Sequence, residues 1–248
     1  MYARAFKPFL FILALLVVVS LACLSSTPTP SPEPPPAATE EPGQPAQPQE
    51  TEAPAQPSAQ EYFTEEFDGD ISNWSQTVAL NSSEGNPSEA DISVQDGYLV
   101  FDLGKWLIGY VFYDPFEYTD VRIDVSVDNR GTNVNNVLLV CRISDEGHYL
   151  VNIANSGLFA MYAYDGAKQA YARMADGGST KIRPGKETNE YSLVCRQKTL
   201  TIYVNGIETR VYTDNQFVFR KGQVGVGVAS EDQLPVRLEF DWVKISEP

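Results

Sequence analysis

The chain has 248 residues, with 33 acidic against 18 basic side chains and a formal net charge of −15. That balance, with no basic stripe to neutralise phosphates, excludes nucleic acid as a partner and argues against anionic polymers generally. Zinc would want four ligands at close spacings, whereas the three cysteines and the single histidine, His148, are spread widely along the chain.

The first element is MYARAFKPFLFILALLVVVSLACLSS. Arg4 and Lys7 make a positive start, and Phe9 to Ala22 supplies fourteen residues without a charge. A membrane-spanning helix needs roughly 20 apolar residues, so this run is short for one. It has the length of a secretory signal core. It closes on Ala22-Cys23, and Leu21, Ala22 and Cys23 resemble the lipobox of bacterial lipoproteins, with Ser20 departing from the usual Leu or Val. The resemblance implies a signal peptide over residues 1–22 and a diacylated Cys23 as the first mature residue. Ordinary cleavage nearby and an uncleaved signal anchor are the alternatives. Loss of the signal, which holds two basic and no acidic residues, takes the mature chain to −17.

Residues 23–60 follow as a Pro-, Glu- and Gln-rich stretch. From Leu24 to Gln60 it carries 11 of the chain's 17 prolines, with no Lys, Arg or aromatic residue. Such a composition cannot bury enough apolar surface to offset chain ordering, so a disordered tether is expected. Extended polyproline II at about 3.1 Å per residue would hold its cargo on the order of 100 Å from a membrane. A docking ligand for small adaptor domains is the other use of such sequences. A spacer fits an exported chain better.

From Glu61 to Pro248 the composition changes to aromatic and β-branched residues. No stretch keeps helical apolar periodicity for three turns. Instead, eleven short runs predict strands. In chain order they are EYFTEEF, GYLVFDL, KWLIGYVFY, DVRIDVSVD, NVLLVCRIS, HYLVNIA, LFAMYAY, NEYSLVCR, TLTIYVNG, GQVGVGVAS and RLEFDWVKIS. Asp96-Gly97, Asp165-Gly166 and Asn205-Gly206 lie among the connections, and such pairs accept the positive φ of tight hairpins. Hairpin spacing throughout predicts an all-β fold, a two-sheet antiparallel sandwich or jelly roll of one domain.

Two of the cysteines lie in identical LVCR tetrapeptides, at Cys141 and Cys195. Metal ligation, a redox pair and a thiol nucleophile are conceivable uses. An exported chain with one anchor cysteine and an even pair favours a disulfide staple instead. Alternation puts Val137, Leu139, Cys141 and Ile143 on one apolar face and Tyr191, Leu193 and Cys195 on another. The same parity turns Arg142 and Arg196 away from those faces. A Cys141–Cys195 bond would close a loop of about 50 residues and contribute on the order of 4 kcal/mol in the chain-entropy account.

NEYSLVCRQKTLTIYVNG, GQVGVGV and the closing FDWVKI, with EEFDGDISNW at the front, resemble concanavalin A-like and laminin G-like jelly rolls. They are more closely similar to the 3-keto-disaccharide hydrolase-like module of bacterial envelope proteins. The resemblance covers roughly Glu61 to Glu247. It implies the jelly-roll fold, and it leaves the function open among lectins, adhesion modules and glycosidases.

No catalytic constellation is recognisable. β-Glucan hydrolases of this fold resemble one another in an E-x-D-x-x-E strand motif, and this chain lacks it. The nearest segment supplies Asp120, Asp124 and Asp128, expected as a solvent-facing stripe. There is no G-x-S-x-G elbow for a serine triad. Asp68, Asp70 and Asn73 pack oxygens into one turn, where a structural calcium would be the only cofactor, or where the carboxylates simply cap the turn. Aromatics are the most suggestive feature. Tyr162 and Tyr164 alternate with the apolar Phe159 and Met161, so the tyrosines are expected to face outward. Tyr171 and Arg173 could edge the same surface, with Trp106, Tyr110 and Asn152 nearby. Stacking on such rings is modest, so binding should be weak for one sugar and improve with length.

The sequence therefore points to a lipid-anchored, extracytoplasmic and monomeric sandwich that binds a neutral glycan or a protein without catalysis. A glycoside hydrolase acting on keto-disaccharides or related sugars, and a protein-interaction or structural envelope module, are the alternatives.

Overall fold

The computed structural model describes residues 59–248. The expected signal peptide, the Cys23 lipid site and the tether up to residue 58 lie outside the described residues.

Fifteen strands make two antiparallel sheets. In chain order they are β1 (Phe63–Glu65), β2 (Trp74–Leu80), β3 (Ala90–Gln95), β4 (Tyr98–Leu103), β5 (Leu107–Tyr118), β6 (Val121–Asn129), β7 (Asn135–Ser144) and β8 (Gly147–Ala154). There follow β9 (Leu158–Asp165), β10 (Ala170–Gly178), β11 (Thr188–Arg196), β12 (Thr199–Val204), β13 (Ile207–Thr213), β14 (Gly222–Ser230) and β15 (Val236–Ser246). One sheet runs β13-β12-β11-β6-β15-β4-β3, with β1 also on β15. The other runs β10-β9-β8-β7-β14-β5-β2. All eleven expected strands are present. The four extra ones, β2, β3, β10 and β13, are the outermost strands of the two sheets.

Alternation explains the sandwich. In β9, Phe159, Met161 and Ala163 are buried and join the core, as do Leu107, Val111 and Tyr113 of β5. From the facing sheet come Ile123, Val125 and Val127 of β6 and Tyr191 and Leu193 of β11. Hydrophobic burial on this scale is the main stabilising term. Two hairpin turns need positive φ at both central residues, and Asp96-Gly97 (52° and 81°) and Asn205-Gly206 (49° and 76°) supply it.

Cys141 of β7 and Cys195 of β11 are fully buried and form the expected disulfide, with Cα atoms 6.8 Å apart. Since β7 and β11 belong to different sheets, the bond staples one layer to the other.

Arg142 and Ile143 depart from the parity expectation, and Ile143 packs on the outward apolar cluster rather than beside Cys141. The register slips between Cys141 and Ser144, and Arg142 adopts φ 58°, so its side chain turns inward and is 1% exposed. A β-bulge does this by placing an extra residue on one strand. The guanidinium is not left unsatisfied. Its Nε donates to Thr119 O at 3.0 Å, and Nη1 donates to Gln197 O and Phe219 O, both at 2.7 Å. Nη2 reaches Asp120 at 3.4 Å. Arg142 thus ties together three connections at one end of the sandwich. Arg196 stays exposed, as parity predicts.

Tyr113 Oη donates to Gln60 O at 2.6 Å, and Tyr118 Oη donates to Glu61 O at 2.7 Å. The core and the disulfide both lie within the described residues.

Candidate functional site

The outward face of the seven-stranded sheet follows from its register. One row across it reads Asn152, Leu138, Gly227, Tyr110 and Thr77. The next reads Arg173, Tyr162, Leu150, Val140, Gly225 and Phe112. A further row begins Tyr171, Tyr164, His148. The floor is apolar, with Leu138, Val140, Leu150 and Ala229 buried in a cluster separate from the main core.

Glycines on β14 shape this floor. A Cβ on Gly227 would come 2.9 Å from the Tyr110 ring, and one on Gly225 would collide with Phe112. The two rings lie over the bare backbone instead and stack on each other, 5.4 Å apart at 18°. Tyr110 therefore leans toward the sheet centre.

From the opposite side, Tyr171 of β10 leans inward. Its hydroxyl lies 3.0 Å from His148 Nε2, and its ring packs against Tyr164 (5.0 Å) and Tyr162 (6.2 Å). His148 stacks on Tyr164 at 5.0 Å and 21°. Burial lowers the His148 pKa to about 4, so the ring is neutral at pH 7. Burial raises the Tyr110 pKa, and the neighbouring Tyr171 hydroxyl raises it further. Burial likewise raises that of Tyr171.

β5 and β10 are five strand spacings apart, about 24 Å in a flat sheet at about 4.8 Å per strand. Yet Tyr110 and Tyr171 line one hollow of about 210 Å³. The sheet is curled, and its outward face is a concave trough. Leu138, Leu150 and Ala229 floor the hollow, and Tyr162, Asn152 and Asn81 complete its wall. The Asn81 amide donates to Ser230 O at 2.8 Å. The Asn152 amide and the Tyr162 hydroxyl have no hydrogen-bond partner among the described residues, so both are free to bond a ligand.

The sequence-predicted residues fall unequally. Tyr162, Tyr164, Tyr171 and Arg173 share the outward face of β9 and β10, and Tyr110 meets them across the trough. Arg173 is held loosely by Asp176 at 3.6 Å, with both side chains more than half exposed. Trp106 does not line the hollow. It precedes β5 with φ 61°, and that twist breaks the alternation linking it to Tyr110. His148, Asn81 and Phe112 were not singled out for this face. Parity with Leu150 and Asn152 places His148 here, whereas nothing in the sequence marks Asn81.

Asp124 and Asp128 face away on the other sheet, where Arg122 and Arg130 neutralise them at 2.6 Å each. Asp120 sits in the turn before β6, beside Arg142. Asp68 and Asp70 are exposed, and hydrogen bonding from Ser72, first its hydroxyl and then its backbone N–H at 3.0 Å, lowers the Asp70 pKa. Among the described residues, no group of three His, Cys, Asp or Glu side chains is placed to hold a metal ion. A larger hollow of about 450 Å³ lies between Glu61–Tyr62, the β5–β6 turn and the C-terminal Glu247–Pro248. Its lining is mostly polar, with Glu61, Glu117, Asp120 and Glu247 beside Arg196, and Glu117 is paired with Lys221 at 2.9 Å.

No protein-family model matches the sequence, and no curated protein matches it. Solved structures do. A Bacillus subtilis protein of unknown function with a galectin-like fold aligns at TM-score 0.58 and 9% identity, over 75% of this chain and 94% of that one. A Bacillus licheniformis β-glucanase aligns at 0.56 and 11%, over 77% and 100%. A β-1,3-1,4-glucanase from a mouse hindgut metagenome gives 0.56 and 11%, over 75% and 99%. The domain has the concanavalin A-like jelly-roll fold. In this jelly roll the concave sheet carries the trough and the second sheet backs it.

Proposed function

We propose that this jelly roll is a non-catalytic module that binds a neutral glycan on its concave face, displayed from a bacterial membrane through a lipid on Cys23. The observation that carries the binding reading is the hollow itself. Apolar floor, aromatic walls and two unpartnered polar groups, Asn152 and Tyr162, suit a ligand with C–H faces and hydroxyls. Rings offer stacking area at low entropic cost, and a free amide offers both a donor and an acceptor.

The non-catalytic reading rests on the lining. Glycoside hydrolysis uses two carboxyl groups about 5–5.5 Å or about 6.5–9.5 Å apart, flanking the scissile bond. The hollow is lined by no carboxylate. That two fold neighbours are glucanases lends weight to a sugar ligand and none to their chemistry, since the fold supports many functions.

A glycan array on residues 59–248 tests the reading. Discrete hits support it, and a silent array with captured protein partners favours an interaction module. Turnover of a keto-glycoside would make it an enzyme. Replacing Tyr162 and Tyr164 with Ala should abolish capture and leave melting unchanged. For the anchor, Cys23→Ser should remove incorporation of labelled palmitate; retained label would refute it.

A further inference from the structure

The hollow occupies only part of the trough. It covers the rows that contain Ala229, then Asn152 with Leu138, then Leu150 with Tyr162. It stops at Tyr171, and neither His148 nor Tyr164, in the row beyond, lines it. Tyr110, in the Asn152–Leu138 row and leaning over Gly227 from one wall, and Tyr171, in the His148–Tyr164 row and leaning from the other, both line this hollow. Both are held there. Tyr110 is 9% exposed and stacked on Phe112, and Tyr171 is fixed by the His148 ring nitrogen and two neighbouring tyrosines.

A volume of about 210 Å³ lies below the roughly 300–1,000 Å³ of pockets that enclose drug-sized ligands. An extended polymer passing through would have to displace the two tyrosines. A chain end would not.

We infer that the Tyr110–Tyr171 crossing closes the hollow at one end, so the concave face takes the terminal residue of a neutral glycan chain and rejects internal segments. This rests on the carbohydrate reading above and adds the mode of recognition. The terminal sugar would lie on Leu138 and Leu150, with Asn152 and Tyr162 bonding its hydroxyls and the rest of the chain leaving on the Asn81 side. The gain with ligand length expected of an open face then stops once the last few sugars are accommodated. Tyr110 and Tyr171 are the residues that determine this specificity.

The test compares intact and fragmented polymers. Laminarin, mixed-linkage β-glucan, levan, starch, mannan and xylan are each immobilised at equal mass, whole or after limited endo-digestion with the enzyme then inactivated. For any polymer captured, retention of residues 59–248 should rise with the number of ends, about tenfold for a tenfold cut in chain length by mass action. Tyr171→Ala, at a position already 48% exposed, should gain capture of the whole polymer and flatten that dependence. Equal capture of whole and cut polymer by the unaltered domain overturns end recognition and leaves the carbohydrate reading standing. Capture of none of the six overturns both.

Discussion

The two outward faces of the sandwich spend their polar side chains differently. On the eight-stranded sheet they satisfy one another. Arg122 bonds Asp124, which also accepts from Ser192, and the guanidinium lies 4.9 Å from the Tyr203 ring. Glu239 takes Arg130 at 2.7 Å and Arg237 at 3.0 Å, and Arg237 also reaches Asp102. On the seven-stranded sheet two polar side chains of the hollow, Asn152 and Tyr162, have no hydrogen-bond partner among the described residues. The convex face is closed chemistry, and the concave one keeps bonds in reserve. A surface that satisfies itself has little to gain from a ligand; one with free amide and hydroxyl groups on an apolar floor does.

The largest expected effect treats both faces alike, because the Cys141–Cys195 bond holds both sheets. Reducing it, or replacing both cysteines with Ala, should cost about 4 kcal/mol and lower the melting midpoint by roughly 10 °C. Unchanged melting on reduction would mean the staple contributes nothing.

The next effect separates the faces by pH. His148 on the concave side has its folded pKa depressed to about 4 against about 6.5 unfolded. Between those values the unfolded chain binds the proton and the folded one does not, so stability is complete above pH 6.5 and falls as pH drops toward 4. The loss is at most about 3 kcal/mol, since each pKa unit is worth about 1.4 kcal/mol. Glu239 on the convex face acts lower. Burial opposes its ionisation, but hydrogen bonds from Arg130 and Arg237 outweigh that and depress its pKa. Its contribution is therefore present above the unfolded value of about 4.3 and lost as pH falls further. Melting from pH 7 to 4 should decline in the parent and much less in His148→Gln; equal declines would assign the loss elsewhere.

Gly227→Ala probes the floor, because the new Cβ meets Tyr110 and the Gly109 carbonyl. Overpacking of this kind costs about 1–3 kcal/mol. Glycan capture should fall further than that loss alone explains, since Tyr110 must move. The smallest effect is on the ion-paired face. Arg122→Ala should cost less than about 1 kcal/mol, diminish in high salt and leave capture unchanged.

How far the sequence spoke follows from the same contrast of environments. Inner strands such as β7 and β14 bury nearly every residue and announce themselves as apolar runs. The strands that escaped prediction, β2, β3, β10 and β13, pair on one side only. In β13, Ile207 and Val211 are exposed, so its apolar residues mark no buried face. Edge strands carry little core and therefore little pattern. Parity turned Phe159 and Met161 inward and Tyr162 and Tyr164 outward, and it turned both cysteines inward, Cys141 being the last residue before its strand bulges. It failed at Arg142 and Trp106, where a positive φ interrupts the alternation. The approach of Tyr110 to Tyr171 was beyond reach altogether, since it depends on sheet curvature between strands five places apart.

Asn152 offers the most direct test, because its amide has no hydrogen-bond partner among the described residues. Binding of an array-identified glycan and thermal melting should be measured together on Asn152→Leu, with Asp124→Asn on the convex face as control. The account predicts that Asn152→Leu melts at or above the parent temperature while capture is lost, and that Asp124→Asn binds as the parent does. Full capture by Asn152→Leu would contradict the claim that the concave hollow is the binding site.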